Sequence, residues 1–129
     1  MNVFVSVVSH NHQDIIKNLD SLRLLAIHGS VTVICRDNIP NAVCREYCEL
    51  NGVHYCVNSK IQGFSANNNA NYLYAKEQLG MQEKDYFVLM NPDVSIDQKN
   101  INKLLDILQQ QQPDIAAPCL YINKQQTVY

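Results

Sequence analysis

Asp93 is the side chain of this chain best placed to do chemistry. It closes Tyr86-Phe87-Val88-Leu89-Met90-Asn91-Pro92-Asp93, a run of apolar β-formers that stops abruptly at Asn-Pro-Asp. Such a run reads as a fully buried parallel strand that delivers one carboxylate to the rim of a sheet. A carboxylate there can hold a divalent cation against a phosphate. Mg2+ or Mn2+ typically takes one or two protein carboxylates and completes its shell with substrate phosphates. Asn91 adds a neutral oxygen beside the charge, and Pro92 stiffens the turn. The competing role, a carboxylate that favours the next helix's dipole, is weakened because Ser95-x-x-Gln98 already reads as a capping box for that helix.

A second signature, Gly63-Phe64-Ser65-Ala66-Asn67-Asn68-Asn69, lies upstream. A glycine-led turn opening a helix presents free N–H groups and a dipole's positive end to an anion. The plainer alternatives are Asn67 as a helix cap and Gly63 as a positive-φ residue, with Phe64 anchoring the loop in the core. The two signatures together point to a nucleotide-sugar site. Two further polar clusters follow apolar runs: Ser9-His10-Asn11-His12 and Arg36-Asp37-Asn38. Asp37 is placed to accept hydrogen bonds from a base or ribose; the alternative is an Asx-turn with Asn38 before Pro40. His10 divides evenly between ligand contact and helix capping. His10-x-His12 has no third His or Cys nearby to complete a metal set.

The elements that must position these residues are legible as alternating runs. Strands are expected at Val3–Ser9, Val31–Cys35, Val53–Val57, Tyr86–Met90 and Ile115–Ile122. Helical stripes lie between them: Ile15, Leu19 and Leu22 with Asn11 as cap; Val43, Tyr47 and Leu50, from Pro40 to Asn51-Gly52; Ala66, Ala70 and Leu73, ending at Gly80. The last, Ile101, Leu104, Leu105 and Leu108, has clean i, i+3, i+4, i+7 spacing. Pro118 marks the fifth run as bulged, at an edge or partly paired. This alternation predicts an α/β, Rossmann-like three-layer fold with a mostly parallel sheet in the order 3-2-1-4. All four polar clusters then fall on the carboxyl rim, where such sheets bind ligands. Gln109–Gln112 reads as solvated helix surface.

The chain has 129 residues, enough for one compact domain spanning 1–129. Its 47% hydrophobic and 17% charged residues are those of a soluble globular protein. A net charge of −2 supplies no basic face for a nucleic-acid backbone. The start Met1-Asn2-Val3-Phe4-Val5 lacks the basic region of a signal peptide, and no apolar stretch approaches the roughly 20 residues that span a bilayer. Five cysteines (Cys35, Cys44, Cys48, Cys56, Cys119) form no C-x-x-C pair, although Cys44 and Cys48 share a helical face. A metal or redox role is the weaker reading; they read first as reduced, buried small hydrophobes of a cytoplasmic protein.

The blocks Val7-Val8-Ser9-His10-Asn11-His12 with Asp14, Arg36-Asp37-Asn38, Gly63-Phe64 with Asn68-Asn69, and Leu89-Met90-Asn91-Pro92-Asp93 resemble the family 2 glycosyltransferases of GT-A fold, and most closely their bacterial rhamnosyltransferase-like members. Order and spacing match over nearly the whole chain, and Asn91-Pro92-Asp93 looks like a variant D-x-D motif. The resemblance implies a nucleoside-diphosphate sugar donor such as dTDP-L-rhamnose and a saccharide or lipid-linked acceptor. It also implies a place in surface polysaccharide (O-antigen-type) synthesis, peripheral to the inner face of the membrane. By the same resemblance Ser9, His10, Asp37 and Asn38 would face the nucleoside, Gly63, Phe64, Asn68 and Asn69 would border the pocket, and Asp93 with Asn91 would bind Mg2+ or Mn2+. Asn91 replaces the motif's first acid, which lowers local charge. The family's acceptor-binding half and its general base have no match in this chain, and neither Asp106 nor Asp114 lies in a matching motif. The chain therefore resembles the donor-binding half alone.

Three rivals remain at this stage. The chain could be a catalytically inactive remnant that serves as a nucleotide-binding or interaction module, pairing as a homodimer through an uncovered sheet edge. A dinucleotide oxidoreductase is disfavoured because no G-x-G-x-x-G follows the first strand. A phospho-accepting signalling domain would need an acid cluster on that strand.

Overall fold

The computed structural model describes residues 1–123 and 126–127. The chain divides into two compact units, Met1–Asp97 and Gln98–Tyr129. The first unit is built on a four-stranded sheet of β1 (Val3–Ser9), β2 (Val31–Asp37), β3 (His54–Val57) and β4 (Tyr86–Met90), in the order β3-β2-β1-β4. Every pairing is parallel, so all four carboxyl ends leave on one rim. The register sets Val3 against Val31 and Tyr86, Ser9 against Asp37, and Val7 against Met90.

The two-residue period of a strand sorts the core into two faces. Phe4 and Ile34 pack with Ala75 of α4 (Phe64–Gln78) and with Met81. The alternate positions Val3, Val5, Val7, Val33 and Cys35 are also buried. They point to the other face, which α1 (Gln13–Leu19), α2 (Ser21–Ala26) and α3 (Ala42–Leu50) cover; the Cys35 sulfur reaches Cys44 of α3 there. Gly52, at φ 68°, ends α3, and the Val53 amide bonds back to the Cys48 carbonyl at 2.9 Å, a Schellman closure.

Several local expectations are corrected. Asn11 is not the cap of α1; His12 occupies that place, and Asn11 sits in the left-handed region at φ 60°. The first helical stripe is broken in two at Asp20, also left-handed. The buried face of α3 is Cys44, Tyr47 and Cys48, whereas Val43 and Leu50 are exposed. The buried face of α4 is Asn67, Asn68, Asn71 and Ala75, so Ala66 and Leu73 lie outside and the inward stripe is polar. β4 is half-buried with Leu89 54% exposed. Among the described residues it pairs only with β1, which makes it an edge strand and not a fully buried one.

The second unit holds α5 (Gln98–Gln111), with Ile101 and Leu108 buried and Gln109–Gln112 exposed as expected. Ser95 lies too far ahead of Gln98 to cap it. The fifth apolar run does not join the parallel sheet. Only its end enters β5 (Tyr121–Asn123), which pairs antiparallel with β6 (Gln126–Thr127). Ile115 and Cys119 are exposed, so Cys119 is not a core residue. Pro118, which cannot donate to a ladder, stands in the segment that stays unpaired.

Candidate functional site at the carboxyl rim

Ser9 and Asp37 end β1 and β2 side by side, both fully buried. The Asn38 amide donates to the Ser9 carbonyl at 2.9 Å, locking the two strand ends together. The Tyr55 hydroxyl donates to Asp37 Oδ2 at 2.9 Å, and Arg45 lies over the Tyr55 ring. Asp37 Oδ1 and Ser9 Oγ are buried without a hydrogen-bond partner. Burial, and more weakly the Cys44 sulfur, push the Asp37 carboxyl above its ordinary range; the Tyr55 bond and the nearby Ser9 hydroxyl and Ile39 amide oppose that shift.

Asn38 and Asn68 are held inside the protein. Asn38 Oδ1 accepts from the Gln62 amide (3.0 Å), Asn58 Nδ2 (2.9 Å) and Asn67 Nδ2 (3.1 Å). Its own amide donates to the Gln62 carbonyl. Asn58 also donates to Asn67 Oδ1. Asn68 Oδ1 accepts from Ser6 Oγ at 2.7 Å, while its nitrogen donates to the Phe64 carbonyl. Asn71 donates to Ser6 Oγ and accepts from Arg36 Nε; Arg36 donates in turn to Asn58. One connected set of side chains thus runs beneath the rim from β1 through β2 to α4. A buried polar group left unpaired costs about 1–3 kcal/mol, so such a set is stable only when nearly complete.

Gly63, Phe64 and Asn69 face solvent. Gly63 has φ −73° and caps α4 in extended geometry, so it is not there for a positive φ. A Cβ on it would meet no atom within 4 Å, so the space above it is open. Phe64 is 56% exposed and does not anchor the loop in the core. With Asn68, Asn69 and Tyr72 it faces Phe87 and Leu89 of β4 across a groove of about 330 Å³. His10 is exposed, and its backbone amide donates to His12 Nδ1 at 2.8 Å.

Asn91 and Asp93 are exposed in the turn that leaves β4 just past the Val7–Met90 pair. Among the described residues, the only cluster of three or more His, Cys, Asp or Glu side chains is Cys35, Cys44 and Cys48. The turn after β4 therefore offers a hard cation one carboxylate and one amide oxygen, a donor set that suits Mg2+ or Mn2+ only if phosphates and water complete the shell. The residues that hold the rim, Ser6, Tyr55, Asn58 and Asn71, escaped the sequence reading. Their one signal was polarity at strand and helix positions that face the core.

The sheet order and the helices on both faces define an α/β protein of GT-A fold. The chain belongs to glycosyl transferase family 2, whose family model matches residues 5–129. It is 26% identical over 128 residues to the rhamnosyltransferase WbbL of Escherichia coli K12, covering 98% of this chain and 48% of that protein. It is also 26% identical over 114 residues to the low-salt glycan biosynthesis hexosyltransferase Agl10 of Haloferax volcanii, covering 88% of this chain and 35% of that one. Its fold superposes on the crystal structure of S. aureus TarS 1-349 with a TM-score of 0.64 at 12% identity, over 99% of this chain and 43% of TarS. The chain thus spans half or less of the length of each of these three. No helix among the described residues is long and apolar enough to cross a membrane.

Proposed function

We propose that this chain forms the donor-binding part of a glycosyltransferase, holding the nucleoside diphosphate of an activated sugar at the carboxyl rim. The observation that carries this reading is the carboxylate of Asp37. One of its oxygens is taken by Tyr55, and the other is buried at the rim with no partner. An N–H or O–H of a base or ribose supplies the missing donor, with Ser9 beside it and His10 above. The open space at Gly63 leaves the start of α4 accessible to the diphosphate. Asp93, assisted by Asn91, would hold the Mg2+ or Mn2+ that offsets charge on the departing diphosphate. Asn38 and Asn68 act as supports, because internal hydrogen bonds occupy their amides. The name of the WbbL relative supports a deoxyhexose donor such as dTDP-L-rhamnose, and both curated relatives support an acceptor in glycan assembly.

Calorimetry with dTDP and UDP, each with and without Mn2+, tests the reading. Metal-dependent binding of at least one nucleotide is expected, abolished by Asp93→Ala and weakened by Asp37→Asn, in variants whose circular dichroism is unchanged. Binding indifferent to the metal and to both substitutions overturns it. The half-buried β4, with Leu89 exposed and one partner among the described strands, favours a second reading as an interaction module. Self-association without nucleotide binding would support that alternative.

A further inference from the structure

Beyond the rim residues the densest chemistry is on the α3 face of β2, the face that Asp37 shares. Cys35, two residues before Asp37, points into the α3 face, where Cys44 and Cys48 meet it one helical turn apart. All three are fully buried, and their sulfurs lie within 4.8 Å of one another, with Cys35 and Cys44 at 4.0 Å. We propose that Cys35, Cys44 and Cys48 form a binding site for one thiophilic divalent d10 cation of the zinc or cadmium class, between β2 and the inward face of α3.

The spacing fits such an ion. A metal–sulfur bond of about 2.3 Å sets the ligand sulfurs about 4.0 Å apart in a trigonal site and about 3.8 Å apart in a tetrahedral one. The Cys35–Cys44 pair already has that separation, and a contraction of under about 1 Å, within reach of a thiol's χ1 rotation, closes the triangle. The surroundings of Cys44 are not wholly apolar, since the buried Ser9 and Asp37 side chains also act on its sulfur. On binding, each ligating thiol passes its proton to solvent. Three thiolates around a divalent ion leave one net negative charge; of the two helical ligands, Cys44 lies in the first turn of the nine-residue α3, the end whose dipole favours a thiolate, and Cys48 in its last turn. Hard ions such as Mg2+ are excluded by the soft donors, so this site and the rim do not compete for one metal.

The test uses the full chain carrying Cys119→Ser, which removes the exposed thiol, stripped of metal and reduced with a phosphine. Titration with Cd2+ should produce a saturable thiolate-to-metal charge-transfer band at one equivalent and raise the melting temperature. Cys44→Ser should weaken binding at least tenfold. Cys48→Ala serves the same purpose should the first variant fail to fold, since it leaves two sulfurs and should also lose at least tenfold. A band that appears only in urea, or that survives undiminished in both variants, overturns the proposal. So does a Cys35–Cys44 disulfide in the isolated protein that, once reduced, takes up no Cd2+.

Discussion

Replacing Asn67 tests whether the polar set beneath the rim is what holds it. Asn67 is 1% exposed. Its nitrogen donates to Asn38 Oδ1, the Gln62 carbonyl and the Gly63 carbonyl at 3.0–3.1 Å, and its oxygen accepts from Asn58. Asn67→Ala removes these bonds and leaves several partners underused, a loss of about 1–3 kcal/mol. Asn67→Asp keeps the shape and replaces the donating nitrogen with an oxygen that faces three acceptors. Keeping that carboxyl protonated at pH 7, about three pH units above its ordinary range, costs about 4 kcal/mol. Against a typical total of about 5–15 kcal/mol, the alanine variant stays folded and the aspartate variant approaches the threshold. Urea unfolding followed by circular dichroism gives both values. The aspartate variant should be the weaker at pH 7 and regain stability as pH falls towards 5, because its carboxyl binds a proton more readily folded than unfolded. An aspartate variant as stable as the alanine one at pH 7, or one indifferent to pH, would refute the reasoning.

Two further outcomes follow from single residues. Gly63→Ser should leave stability unchanged or raise it by about 0.3 kcal/mol, since serine is a slightly better N-cap than glycine and the added Cβ meets open space; nucleotide affinity should nevertheless fall, and an unchanged calorimetric Kd would mean that Gly63 serves only as a cap. Asp20→Asn, which keeps a residue tolerant of the left-handed region, should cost about 0.5 kcal/mol at neutral pH, because the lost Arg23 pair is partly exposed. Arg23 holds the Asp20 carboxyl below its ordinary 3.8, so the difference from wild type should be present at neutral pH and vanish as acid protonates Asp20, read from urea midpoints between pH 7 and pH 2.5.

Strand order and the location of the rim were legible because apolar runs and turn residues report directly on a parallel sheet: Val3–Ser9 and Tyr86–Met90 have the bounds expected of them. What the pattern could not carry was which helix face turns inward. In α4 the alanines suggested an apolar stripe, yet Ser6 and Arg36 on the facing strands demand hydrogen-bonding partners, and Asn68 and Asn71 satisfy that demand, while Asn67 serves Asn38 and Asn58. In α3 the small cysteines fit against Cys35 where Val43 and Leu50 do not turn inward. At the rim, position was readable from strand ends, but exposure was not. Nothing in Arg36-Asp37-Asn38 shows that Tyr55, a strand away, covers the carboxylate. Phe64 misled because aromatic character was taken as burial, and the length of the fifth run misled because Pro118 interrupts it.

The asparagine-rich face of α4 has a consequence for how the loop ahead of it can move. Oily contacts let a helix slide or roll by a fraction of a turn at little cost, whereas hydrogen bonds lose strength steeply with angle. Ser6, Arg36, Asn38 and Asn58 grip α4 at three asparagines, Asn67, Asn68 and Asn71, so axial slippage or rotation would break several bonds at once. The helix is pinned like a key in its wards. The entrance formed by Gly63 and Phe64 inherits that fixity, and whatever enters there meets a frame set in advance.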